Sequence, residues 1–228
     1  INMTSNPTRT ATVHPMPFVR LELAVLTVKD ATLQVLLGKR AELPYRGQWA
    51  LPGGVIRIDL DDDLAAGCQR VAQERLGTRL PNLAQVAAVG GRKRDPRAPW
   101  ALSIVYRCIL AQNTLEAAPG KRLEKLAWVP ADEAAADATR AFDHARLIEA
   151  AAQATRDDFQ ALRFPTGLLP DWFTLGDLQS ISEAVLGHAL DKSSFRRRID
   201  DAGCVEAVPG KMRTGAFRPA QLFRLANS

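Results

Sequence analysis

The sequence predicts an α+β sandwich followed by a smaller helix–helix–hairpin unit. Three observations carry this reading. From Phe18 onward, apolar and β-branched stretches alternate with helical patterns up to about residue 155. The stretch LPGGVIRIDLDDDLAAGCQRVAQERLG, Leu51 to Gly77, joins a strand end, a Gly-Gly turn, an acidic loop and one helix. Beyond residue 168, two capped helical patterns precede a strand, a basic turn and a second strand. The expected boundaries are a mobile polar tail over 1–16, a main domain over 17–155, a connector over 156–168 and a last domain over 169–228.

Phe18 to Val28 and Leu33 to Leu37 flank a Lys29-Asp30-Ala31 turn and read as a strand pair. In the next helix Leu64, Cys68, Val71, Ala72 and Leu76 fall at helical spacing. Asp61, Asp62 and Asp63 suit its start, where carboxylates meet unpaired N–H groups and the positive dipole end. Gly77 stands where a C-terminal cap belongs. Gln85 to Gly90 and Trp100 to Leu110 are strand-like, with a loop between them that carries Arg92, Lys93, Arg94 and Arg97. Guanidinium forks suit phosphate or carboxylate. Leu126 to Val129 reads as a short strand, Pro130 as a helix start, and Phe142 to Ala154 as a helix with an apolar stripe.

Composition narrows the function classes. No apolar run approaches a membrane span, and no leader resembling a signal peptide is present, so a cytoplasmic protein is expected. Cys68, Cys108 and Cys204 are far apart in apolar surroundings and read as buried thiols. His14, His144 and His188 lack metal-ligand spacing. A net charge of +5 is compatible with phosphate or nucleic acid partners.

The Leu51–Gly77 unit resembles the Nudix box, G-x5-E-x7-R-E-U-x-E-E-x-G-U, where U is apolar. LLGKRAELPYRGQ and WALPGG ahead of it are also similar to that family. Aligned on Gly77, the motif arginine is Arg70, and the three glutamate positions after it hold Val71, Glu74 and Arg75. The first glutamate position falls on Asp62, with two additional residues after Gly54. Positions 71, 74 and 75 share one helix face and would jointly meet a metal. Valine offers no oxygen and a guanidinium has the wrong sign, so the box is degenerate for metal-assisted pyrophosphate hydrolysis. The expectation is ligand binding without catalysis and without a required cofactor. Mg²⁺ belongs only to the rival reading, an active pyrophosphohydrolase using Glu74 with Asp62. Two readings of Arg75 stay open: a solvated helix charge, or a substitute for the metal's positive charge against a ligand phosphate. For Glu74 the plain reading is an i, i+4 pair with Arg70.

In the last domain Thr174 and Asp177 make a capping-box-like start, and Leu175, Leu178, Ile181, Val185 and Leu186 form a stripe ending at Gly187. Asp191 can cap a second helix in which Phe195, Ile199 and Ala202 face inward and Lys192, Ser193, Arg196, Arg197 and Arg198 stay outside. CVEAV, PGKMRTGAFRPA and QLFRL then read as strand, wing and strand, which describes a winged helix-turn-helix. From 192 to 224 eight Lys/Arg stand against three Asp/Glu, the electrostatic footprint of a DNA-binding face.

FTLGDLQ, LDKSSFRRRI and FRPAQLFR resemble the C-terminal domain of Nudix-related transcriptional regulators of the NrtR type, and LLPDWFTL and AFDHA are similar to that family's junction. The resemblance implies a homodimer that binds palindromic double-stranded operator DNA and senses ADP-ribose or a related nucleotide, with control of NAD metabolism. A sugar metabolite is the alternative effector, and a winged helix that binds protein the alternative use of the last domain. The effector set implied is Gly53, Gly54, Arg70, Glu74, Arg75, Arg94 and Arg97. The DNA set implied is Lys192, Ser193, Arg196, Arg197 and Arg198, with Arg213 and Arg218 from the wing.

Overall fold

The central strand of the molecule is β1 (Phe18–Lys29), which turns at Asp30 and Ala31, both with positive φ, into the antiparallel β2 (Thr32–Arg40). Two consecutive left-handed residues match the twist of a tight hairpin. The computed structural model describes residues 16–214 and 219–226. The tail expected over 1–16 therefore lies outside the described residues except for Met16.

One sheet runs in the order β3 (Trp49–Ala50), β2, β1, β6 (Trp100–Ile109), β5 (Ala84–Arg92). β4 (Gly53–Val55) also pairs with β1, and β7 (Leu123–Pro130) with β2. β6 is parallel to β1. Alternation along β1 feeds two cores. Leu21, Leu23 and Val25 pack with Cys68, Val71 and Leu76 of α1 (Leu64–Leu76). Ala24 and Leu26 pack on the other face with Leu147, Ile148 and Ala151 of α3 (His144–Gln160). Helices thus cover both faces, the expected α/β/α sandwich. Each fully buried leucine contributes about 1.5–3 kcal/mol relative to exposure.

Asp63 is the one of the three acidic residues that caps α1, accepting from the Ala66 N–H at 2.7 Å, and Gly77 closes the helix at φ 69°. The short α2 (Ala131–Ala136) follows Pro130. α3 runs six residues beyond the expected Ala154, so the first five positions of the expected connector are helical. Thr155 and Phe159 extend its buried stripe from Ala151 and Ala152, and the charged Arg156-Asp157-Asp158 run masked that continuation in the sequence.

The last unit comprises α4 (Leu175–Leu186), α5 (Lys192–Ala202), β8 (Val205–Arg213) and β9 (Ala220–Leu225). The Thr174–Asp177 capping box is complete, Asp191 caps α5 through the Ser194 N–H, and Gly187 and Gly203 are left-handed caps. Phe173, Leu178, Phe195 and Ile199 form its core, and Phe173 pairs with Phe223 as a short third strand. Ala202, expected inward, is exposed at the end of α5. Val185 of α4 packs into the sandwich core beside α3, so α4 serves both units.

Cys68 and Cys108 are buried, and burial pushes both thiols up to about 12, which leaves them inert at neutral pH. Among the described residues no helix is long and apolar enough to cross a membrane.

Candidate functional site

On the box face of α1, position 75 carries a cation that turns inward. Arg75 is 7% exposed; its Nε donates to the Gly53 carbonyl at 2.9 Å and its Nη1 to the Lys121 carbonyl at 3.3 Å. Glu74 lies between two arginines, 3.4 Å from Arg70 and 3.6 Å from Arg75. Arg70 is itself held by both oxygens of Asp61 and by the Val55 carbonyl. Asp62 is exposed. Among the described residues no three His, Cys, Asp or Glu side chains gather as a metal site. A hard divalent cation needs several oxygen ligands, and this face offers one carboxylate already shared with two guanidiniums. The donor set does not fit Mg²⁺.

Beside this face the sequence-distant arginines converge. Arg20 of β1, Arg40 of β2, Arg75 of α1, Arg97 of the β5–β6 loop and Arg122 ahead of β7 line one narrow recess with Gly53, about 30 Å³ in volume. Four of them have a carboxylate nearby: Arg20 with Glu22 at 2.6 Å, Arg97 with Asp95 at 2.6 Å, Arg122 with Glu42 at 3.2 Å and Arg75 with Glu74. Arg40 has no carboxylate partner among the described residues. It donates to the Pro44 carbonyl and lies 4.9 Å from the centre of the Phe142 ring. Burial and the charges of Arg20 and Arg97 push its guanidinium down to about 10. Arg20 and Arg97 also face the Phe142 ring, at 5.7 and 5.5 Å, and Tyr45 meets its edge. Three cations around one aromatic face gain cation–π attraction while repelling each other. Phe142 itself has φ 58°, a strained conformation for an aromatic residue that persists where surroundings fix it.

Beneath the recess lies Glu22, fully buried on the α3-facing side of β1. Its Oε1 accepts from Arg20, with His144 Nε2 at 3.7 Å, and its Oε2 has no hydrogen-bond partner among the described residues. The Leu51 N–H donates to His144 Nδ1, which leaves the ring proton on Nε2, towards Glu22. Burial opposes the charged form of Glu22, but Arg20 and His144 outweigh it and hold the carboxyl down at about 2. A Cβ on Gly53 would sit 1.7 Å from Glu22 Oε2, so the first glycine of the Gly-Gly turn is needed for close approach.

Of the effector set expected from sequence, Gly53, Arg75 and Arg97 line the recess. Arg94 sits behind it, held bidentately by Asp143. Gly54 packs over Val71, and Arg70 and Glu74 border a separate shallow surface on α1. Sequence reasoning missed Arg20, Glu22, Arg40, Arg122, Phe142 and His144. One signal was available: Arg20 and Glu22 occupy the same alternation face of β1 as Ala24 and Leu26, where an apolar pair belongs.

On the other unit, Lys192, Ser193, Arg196 and Arg197 are exposed along α5. Arg198 is exposed as well and donates to the Gln160 carbonyl at the end of α3, at 2.7 Å. Arg213 of the wing pairs with Asp177 of the α4 capping box, also at 2.7 Å, and stays half-exposed. Lys211 lies 5.2 Å from the exposed Trp172 ring. Arg218 lies outside the described residues.

Comparison with known proteins agrees with this two-part layout. The NUDIX domain family matches residues 20–151, and the NrtR DNA-binding winged helix domain matches residues 165–225. The chain is 35% identical over 213 residues to the ADPR responsive transcriptional repressor NtrR of Acinetobacter baylyi, covering 93% of this chain and 84% of that protein. The crystal structure of Shewanella oneidensis NrtR complexed with a 27mer DNA superposes with a TM-score of 0.74 at 29% identity, over 91% of this chain and 93% of that one. The NUDIX domain of the same protein, complexed with ADP ribose, gives a TM-score of 0.54 at 26% identity, over 66% of this chain and 93% of that one. The chain belongs to the NUDIX family, among the members that carry an NrtR-type winged helix DNA-binding domain.

Proposed function

We propose that this protein is a cytoplasmic transcriptional repressor whose NUDIX domain binds ADP-ribose, or a nucleotide of that chemistry, without hydrolysing it. A homodimer places two copies of α5 in successive major grooves of an operator, and ligand binding alters that fit. The genes under its control belong to NAD metabolism.

The observation that carries this reading is the pairing of two features in one chain. A five-arginine recess that includes Arg75 stands beside a box face on which Val71 and Arg75 hold two of the three glutamate positions. An exposed basic helix face, Lys192, Ser193, Arg196 and Arg197, stands on the winged helix. The first suits an anionic ligand and gives hydrolysis no metal; the second suits phosphates and base edges. The test is to incubate the protein with ADP-ribose and Mg²⁺, assay for AMP release, and measure binding in parallel. Binding without turnover is expected. Turnover abolished by Glu74→Gln would replace the sensor with an enzyme.

A further inference from the structure

In a carboxylate box the divalent ion supplies the positive charge that a pyrophosphate requires. Here Val71, Glu74 and Arg75 sum to zero charge with no ion, and the positive charge comes from side chains fixed in the fold. We propose that the recess lined by Arg20, Arg40, Arg75, Arg97 and Arg122 is a metal-independent clamp for a pyrophosphate group, with Arg40 as its principal free fork. The inference rests on the effector reading above and deepens it, because it assigns the recognition chemistry to two linked phosphates rather than to the base or a sugar.

Several features support the assignment. The five guanidiniums come from five different segments, so the recess is a product of the fold and not of one basic run. Arg40 is partly buried beside the Phe142 ring and the Pro44 carbonyl, and it is pressed by Arg20 and Arg97, a repulsion that Glu22 and Asp95 offset only in part. An anion placed there relieves that repulsion and gains charge-assisted, bidentate hydrogen bonds. Arg122 is paired with Glu42, but both side chains are more than half exposed, and such pairs are weak enough to exchange for a ligand. Arg75 and Arg97 are held in place by Gly53, Lys121 and Asp95, which fixes their charge at the rim in advance. Pre-placed forks lower the cost of ordering on binding.

The experiment is calorimetric titration of the full chain with inorganic pyrophosphate, inorganic phosphate and ADP-ribose, each in EDTA and in Mg²⁺. Pyrophosphate and ADP-ribose are expected to bind equally well in EDTA, and phosphate much more weakly. Arg40→Gln is expected to weaken pyrophosphate about 10- to 100-fold, the loss of a charged hydrogen-bonding partner. Arg122→Gln is expected to act in the same direction. Arg46→Gln, an exposed arginine outside the recess, serves as a control with binding unchanged, and circular dichroism verifies folding of each variant. Binding that appears only with Mg²⁺, or phosphate binding as tight as pyrophosphate, would overturn the clamp while leaving the sensor reading standing. Metal-free pyrophosphate binding without ADP-ribose binding would uphold the clamp and remove the effector assignment. No pyrophosphate binding under either condition would overturn the clamp.

Discussion

Arg198 of the basic helix α5 donates to the carbonyl of Gln160, the last residue of α3, at 2.7 Å. At its other end α3 begins with His144, which approaches Glu22 beneath the arginine recess, and follows Phe142 and Asp143. A 17-residue helix spans about 25 Å. Arg156, in the same helix, also reaches the Val185 carbonyl of α4 and the Asp132 carboxylate of α2. One rigid element therefore touches both the recess and the winged helix.

Arg198→Ala cuts the direct tie between α5 and α3. The expected result is unchanged ADP-ribose affinity and a reduced effect of ADP-ribose on operator affinity. Allosteric couplings usually amount to about 5–150-fold, and the variant's factor is expected to fall towards unity. Fluorescence anisotropy on labelled operator, with and without ligand, reads it. A coupling factor equal to that of the unaltered protein would show that α3 is a scaffold and not a lever.

Arg197→Ala and Arg196→Ala remove exposed cations from the same helix without touching the α3 contact. Each is expected to weaken operator binding and, if it meets a phosphate, to reduce the salt slope of log K by about 1. An arginine that reads a base would instead relax sequence preference at one position, with a cost of about 1–3 kcal/mol. Normal operator binding by both variants would remove α5 from the DNA interface.

Much of this arrangement was legible from sequence, and the reason is locality. The helix caps at Gly77, Gly187 and Gly203, the Thr174–Asp177 box and the strand-helix box unit are each contained within a few turns of chain. The recess is not local. Arg20 and Arg40 meet only because β1 pairs with β2, and Arg97 reaches them only because β6 lies beside β1. No spacing in the sequence announces this. Arg94 and Arg198 show the converse, since a basic run does not say which members are tied to the rest of the fold. Arg94 meets the Asp143 carboxylate just ahead of α3, 49 residues away, and Arg198 the Gln160 carbonyl at its end, 38 residues away.

Gly53→Ala forces a methyl group against Glu22 Oε2, where 1.7 Å is available, and the carboxylate is fully buried. Overpacking of this kind costs about 1–3 kcal/mol, and here it also pushes the Arg20–Glu22 pair that floors the recess. Chemical denaturation is expected to show that loss. Combining Gly53→Ala with Glu22→Ala should then cost less than the sum of the two single changes, because the second removes the clash. Strict additivity would mean that the two residues do not meet.

Glu22 also sets a pH dependence. Its folded-state value of about 2 lies below its ordinary 4.5, so the stabilisation is fully present above about pH 4.5 and is lost as pH falls towards 2. The shift corresponds to on the order of 3 kcal/mol. Glu22→Gln is expected to flatten the stability profile between those pH values relative to the unaltered protein. Denaturation midpoints that decline equally in both proteins across the window would assign the acid sensitivity to other carboxylates.

A ligand held by the arginine recess is expected to control DNA binding by the winged helix. A gel shift on the DNA upstream of this protein's own gene, with and without ADP-ribose, tests it most directly when the unaltered protein is run beside Arg40→Gln. A specific complex that ADP-ribose disrupts is expected, with the variant needing a higher ligand concentration for the same effect. A complex indifferent to ADP-ribose at every concentration, or one released equally from both proteins, would contradict it.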